Sequence, residues 1–222
     1  MSRAFRKFAL KRHSFLPSSN STVTMVVAKS IAIVISSTRP HRINPFVAGY
    51  VASVINSIPQ TTAKVELLDL ETVNLPLFNE PLVPGEVPAD DPTPHYHYEY
   101  TRAWSDLVRK YDGFIFVTPQ YNWSIPASLK NALDYVFHEW NGKPAAIVTY
   151  GFRGGVKAEP HLREILTGLR MVTVEPTVAL KIVKGEPGER EKLMEEIWKK
   201  DGADEKITTL FASLLRHFEA KN

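Results

Sequence analysis

The chain has 222 residues, 44% of them hydrophobic, which is enough for one sizeable core and makes a single domain the default. It contains no cysteine, which excludes disulfides, thiol nucleophiles, iron–sulfur clusters and Cys-ligated zinc, and no apolar run approaches the roughly 18 residues needed to span a bilayer. The net charge of +3 invites a nucleic-acid partner, but Arg3, Arg6, Lys7, Lys11 and Arg12 crowd the first dozen residues; without these five, 22 basic groups face 24 acidic ones. The basic excess therefore belongs to a leader, and neither nucleic acid nor membrane is expected as a partner.

Residues 1–25 are basic, Ser-rich and free of Asp and Glu, with Phe5, Phe8 and Ala9 at helical spacing. The leader admits three readings: a mitochondrial transit peptide, a disordered tail, or an extension upstream of a true start at Met25. No apolar h-region follows the charges, so it is not a secretory signal. A cytoplasmic location is expected, or a mitochondrial one if residues 1–25 act as a transit peptide. Residues 26–222 are read as one domain.

From Ser30 the pattern changes. Residues 31–35 form a short β-branched apolar run, as in a central parallel strand. A polar loop over 36–43 follows, and Asn44 and Pro45 look like a helix N-cap and first helical position. Val47, Val51, Val54, Ile55 and Ile58 recur at helical spacing up to Pro59. A second strand is predicted over 64–70. Residues 73–94 hold six prolines, so neither a regular helix nor a strand is expected there. A helix is predicted over 98–110 and a third strand over 113–117. Ser124 is predicted to cap the next helix, whose buried face carries Leu129, Leu133, Val136 and Phe137. A fourth strand covers 144–150 and closes in a glycine-rich turn over 151–155. A helix over 159–169 precedes a fifth strand within 172–180. Beyond Gly188 lies a charged helical region broken at Gly202.

Strands alternate with helices, so the class is α/β. The expected architecture is flavodoxin-like: a five-stranded parallel sheet in order 2-1-3-4-5 with helices on both faces, and a ligand at the carboxyl ends of the strands. The loops after strands one, three and four converge there. The first places Ser37, Arg39, Arg42 and Asn44 before a helix N-terminus, which favours an anion such as phosphate. The second, Pro119, Gln120, Tyr121, Asn122 and Trp123, offers amides, a phenol and an indole to a flat heteroaromatic ligand. The third, with Tyr150, Gly151 and Gly154, lets backbone approach a ligand closely. Competing signatures fail: there is no P-loop, no G-x-G-x-x-G and no G-x-S-x-G, and Gly142 stands where a zinc helix beginning at His138 needs its second His. His95 and His97 could ligate a metal, but read better as part of an exposed loop-to-helix junction, so no metal is expected.

The stretches 33–39, 117–123, 126–134, 138–144 and 150–155 make the sequence resemble the NAD(P)H-dependent FMN reductase family, particularly its fungal quinone reductases. The resemblance spans roughly 30–181. It implies an FMN cofactor, with Arg39 on the flavin phosphate and Ser37, Arg42 and Asn44 in the same loop. It places Gln120, Tyr121, Asn122 and Trp123 around the isoalloxazine, with Tyr150 and the glycines after it as a second wall. The implied reaction is ping-pong transfer from NAD(P)H through FMN to a quinone or similar acceptor, with no acid or base side chain required. A homodimer is implied as well, with 73–94 as a candidate wall of the active-site mouth. The alternative is a flavin-bound redox-sensing protein that regulates a protein partner. One departure stands out: many members carry glycine where this chain has Ser36, which holds the turn only if its φ stays negative.

Overall fold

The computed structural model describes residues 28–59 and 63–220. The leader, and with it the expectation about location, lies outside the described residues. The elements run β1 (Ser30–Ile35), α1 (Asn44–Asn56), β2 (Lys64–Asp69), α2 (Leu70–Val73), α3 (Glu99–Arg109), β3 (Gly113–Pro119), α4 (Ala127–Asp134), β4 (Pro144–Gly151), α5 (Ala158–Gly168), β5 (Val172–Thr173), β6 (Val178–Lys181), α6 (Glu189–Lys200) and α7 (Ala203–Glu219). Every strand pairing is parallel, and the order is β2-β1-β3-β4-β5, as expected for a flavodoxin-like sheet. No helix among the described residues is long and apolar enough to cross a membrane.

The central strands are apolar on both faces because both are covered. Ala32, Val34, Phe114, Phe116, Ala145 and Ile147 face one core with Trp104, Leu129 and Leu162. Their sequence neighbours Ile31, Ile33, Ile115, Val117, Ala146 and Val148 face the other, against α1 and α7 through Val47, Val51, Leu210 and Phe211. This is the two-residue alternation of a strand sandwiched between helix layers. Trp104 and Trp140 are nearly fully buried, and their indole N–H groups are satisfied by the carbonyls of Ala132 (2.9 Å) and Leu133 (3.3 Å).

The fifth sheet position departs from expectation. It is filled by two segments: β5 pairs with the start of β4, and β6 pairs with Val148–Gly151 at its carboxyl end. Pro176 lies between them and cannot donate to a ladder, so one continuous strand is not formed. The 73–94 segment contains only one complete short turn, a 3₁₀ turn at Pro84–Glu86, and a second begins at its end, at Thr93–His95. It is tied down by buried carboxylates. Glu80 accepts from the His97 N–H (2.5 Å) and the Thr101 hydroxyl (2.7 Å), and Thr93 bonds Ser105 (2.6 Å), which in turn donates to the buried Glu139 (2.5 Å).

Candidate active site

The first loop is built around Asn44. It was expected to cap α1, but Ile43 holds the cap position and Asn44 is the first helical residue, fully buried. Its Oδ1 accepts from the Ser37 N–H (2.8 Å) and its Nδ2 donates to the Val117 carbonyl (3.1 Å). One amide thus ties the β1 loop to the end of β3. Ser36 has no positive φ, and its hydroxyl donates to the same Val117 carbonyl at 2.9 Å. The serine therefore replaces glycine without backbone strain, and it adds a bond that glycine lacks. Ser37 shares a 2.8 Å hydrogen bond with the Tyr121 hydroxyl and accepts from the Arg39 N–H at 3.3 Å, so the first and second loops are joined directly.

Arg42 does not reach forward as an unpaired phosphate ligand. Its guanidinium donates to Asp69 at 2.5 Å and lies 3.8 Å from Glu71, at the carboxyl end of β2. Arg39 is exposed, and among the described residues no ion pair holds it. Helix α1 has no acidic residue in its first turn and no side-chain cap, so its positive end stays open beside Arg39.

The second loop contains a tight turn. Tyr121 and Ser124 exchange backbone hydrogen bonds of 2.9 and 3.0 Å across Asn122 (φ 45°) and Trp123 (φ 69°). Two positive φ angles at the central residues are the mark of a type I′ turn. Ser124 therefore closes this turn instead of capping α4, whose cap position is Pro126. The turn lifts Trp123 outward with 66% of its surface exposed, and the Lys157 ammonium lies 5.4 Å from its ring centroid. Gln120 donates its N–H to the Tyr150 carbonyl (3.1 Å), and its Oε1 accepts from the Lys157 N–H (2.9 Å). The second loop is thus tied to the third as well as to the first.

In the third loop Tyr150 is buried, and burial above all raises its phenol pKa, so it stays neutral at physiological pH. Gly154 differs from expectation. It is buried against Ala179 of β6, where a Cβ would lie 3.0 Å from the Ala179 Cβ, and it does not line the cavity. Gly155 does line it.

Together the loops enclose a cavity of about 660 Å³ at the carboxyl edge of the sheet. Of the residues singled out in the sequence, Arg39, Arg42, Pro119, Gln120, Tyr121, Trp123, Tyr150 and Gly151 line it; Ser37 and Asn44 support the wall from behind. Asn122 lies in the turn without lining the cavity. Phe152 and Arg153 also line it, within the third predicted loop but not singled out there; the wall that the sequence does not point to is Ile182, Val183, Lys184 and Arg190. The rule that places ligands beyond strand carboxyl ends does point to the loop after β6, but a single strand within 172–180 hides where that carboxyl end lies. No Asp or Glu lines the cavity.

The model of the family described as NADPH-dependent FMN reductase matches residues 29–184. The chain is similar to the NAD(P)H-dependent FMN reductase LOT6 of Saccharomyces cerevisiae, at 41% identity over 160 residues, covering 70% of this chain and 82% of that one. It is 39% identical over 150 residues to the NAD(P)H-dependent FMN reductase ntnL of a Nectria species, covering 68% and 73% of the two chains. A quinone reductase of Pseudomonas putida is 34% identical over 149 residues, covering 64% and 72%. Among solved structures, the flavoenzyme NAD(P)H:(acceptor) oxidoreductase FerB of Paracoccus denitrificans shares the fold, with a TM-score of 0.65 at 20% identity over 86% of this chain and 99% of that one.

Proposed function

The chain belongs to the NADPH-dependent FMN reductase family, and from that premise we propose that it is an oxidoreductase that holds FMN and carries electrons from NAD(P)H to quinones or similar acceptors. The observation that carries the reading is the convergence of three interlocked loops on one cavity whose wall bears cations and no carboxylate.

The residues present fit the cofactor. The cavity of about 660 Å³ falls within the roughly 300–1,000 Å³ range of small-ligand sites. Arg39 and the open positive end of α1 suit the phosphate, by charge and by hydrogen bonding. Tyr150, Trp123 and the 119–121 backbone offer a partly apolar slot with polar edges for a planar ring. When bound, FMN supplies the redox chemistry, accepting a hydride from NAD(P)H and passing two electrons to the acceptor.

The protein's own residues bind and orient. Asn44, Ser37 and Tyr121 fix the spacing of the phosphate loop against the ring loop. Gln120 fixes the ring loop against the Tyr150 wall. The exposed Trp123 indole borders the cavity and offers a stacking face, on which nicotinamide and acceptor would take turns in a ping-pong cycle. No side chain is needed as acid or base. In the same reading the protein is a homodimer; Leu77, Phe78, Leu82 and Val83, exposed on the proline-rich segment, support a second copy covering that face.

The absorption spectrum of purified protein, followed by anaerobic NADPH titration, tests the reading. Flavin bands that bleach with NADPH and return with quinone are expected. Protein without flavin bands that also takes up no added FMN overturns it. Replacing Arg39 with Ala should weaken FMN binding roughly tenfold to a hundredfold, since a charge-assisted hydrogen bond contributes about 1.5–3 kcal/mol.

A further inference from the structure

The cavity wall carries five guanidinium or ammonium groups, those of Arg39, Arg42, Arg153, Lys184 and Arg190. These cations are not equivalent. Asp69 and Glu71 hold Arg42 from behind, and Arg190 is paired with its neighbour Glu191. Arg39 sits beside the positive end of α1, where the flavin phosphate is assigned. Arg153 and Lys184 remain. Both are exposed, and among the described residues neither is held in an ion pair.

Topology separates this pair from Arg39. Arg153 follows β4 and Lys184 follows β6, whereas Arg39 follows β1 and β3 lies between. The two groups enter the cavity from opposite ends of one row of loops. A monophosphate seated at α1 leaves the far cations unused. Beside them Phe152 is 62% exposed, and Ile182 and Val183 add apolar wall. The loop is seated closely on the start of α6, since a Cβ at Gly185 would lie 3.2 Å from the Arg190 Cβ. The family match ends at residue 184, so Gly185 and Arg190 lie outside the matched region.

We propose that Arg153 and Lys184 form a second anion site for the 2′-phosphate of NADPH, with Phe152 against the adenine, and that they make NADPH the preferred reductant. This rests on the FMN reductase reading. Two cations beside an aromatic face match a phosphorylated purine nucleoside in charge and shape. NADH, which lacks the 2′-phosphate, leaves them solvated.

The test uses the flavin-loaded protein and two nucleotides of comparable charge, 2′,5′-ADP and 5′-ADP, titrated calorimetrically. The expected result is 2′,5′-ADP bound roughly tenfold or more tightly, an advantage removed by the double substitution Arg153→Gln, Lys184→Gln. The same double substitution should lower the NADPH-to-NADH ratio of kcat/KM by roughly tenfold or more. Flavin absorbance per protomer reports separately on the parent reading, and the single substitutions at these exposed positions repeat the test if the double variant folds poorly. Equal affinity for the two nucleotides overturns the proposal, as does a kcat/KM ratio that the substitutions leave in place.

Discussion

Gly155 is the position where the site tolerates least change. Its φ is +74°, and a Cβ there would lie 2.8 Å from the Tyr150 carbonyl and 2.9 Å from the Thr149 Cβ. Neither neighbour is the end of a flexible side chain. Gly155→Ala therefore combines backbone strain with overpacking, each of roughly 1–3 kcal/mol, and should cost at least about 2 kcal/mol in urea unfolding. Gly168→Ala, in open space at the end of α5, serves as the control and should be close to neutral or slightly stabilising. The sequence made Gly155 visible only as part of a glycine-rich turn. Which glycine faces the cavity and which packs on β6 depends on Ala179, distant in the chain, and so could not be read locally. Asn44 shows the same limit. An Asn before Pro reads as a cap, yet its amide is spent on the Ser37 N–H across its own loop and on the Val117 carbonyl of β3, and only tertiary structure supplies the second partner.

At the scale of elements, the connection from β3 to α4 sets function against stability. A type I′ turn favours Asn-Gly, and this chain has Asn122-Trp123. Holding a Trp at positive φ costs about 1 kcal/mol or more, offset by roughly 0.5 kcal/mol from the Lys157 ammonium over its ring. Trp123→Gly should therefore leave the fold equally stable or slightly more so in thermal unfolding. The same change should lower kcat/KM for quinone about tenfold, the loss expected for one aromatic contact of about 1–1.5 kcal/mol. A variant that loses stability and keeps full activity would show that the indole serves the fold instead. The strand and helix order was legible because apolar runs and Pro/Gly punctuation are local. The split of the fifth strand was not, because β5 and β6 are recognised as separate only by what each pairs with on β4.

The junction of α3 with β4 carries a second element-scale prediction. Lys143 precedes β4 and donates to the Val108 carbonyl in the last turn of α3 at 2.8 Å. Burial lowers its pKa to about 8, against the upward pull of Asp112 and Glu139. Between pH 8 and the ordinary value of 10.5 the unfolded chain binds this proton and the folded chain does not, so this group makes stability rise with pH across that window. Below pH 8 the full penalty of burying the charge is present. Lys143→Met should thus stabilise the protein at pH 7 by about 2 kcal/mol, with the advantage shrinking to nothing near pH 10.5. Chemical unfolding of both proteins across this range reads the difference directly, and a constant offset would exclude a titrating Lys143 as the cause.

For the whole molecule, the net charge and the local field point in opposite directions. Beyond the first dozen residues the chain carries 22 basic and 24 acidic groups, yet the cavity at the carboxyl edge of the sheet has a wall with cations and no carboxylate. A low-dielectric cleft lined by one sign of charge focuses its field on the cleft mouth, and an anionic reductant is drawn there regardless of the small overall charge. That attraction is screened over about 10 Å at 0.1 M salt. The kcat/KM for NADPH should therefore fall several-fold as ionic strength rises from about 0.02 to 0.2 M, while saturating kcat changes little. The basic leader provides the discriminating comparison. If the cavity wall does the steering, a chain beginning at Met25 keeps the same salt dependence, although it has lost Arg3, Arg6, Lys7, Lys11 and Arg12. If the leader does it, removing those five cations flattens the curve, and the cavity's charge then acts only after the reductant has arrived.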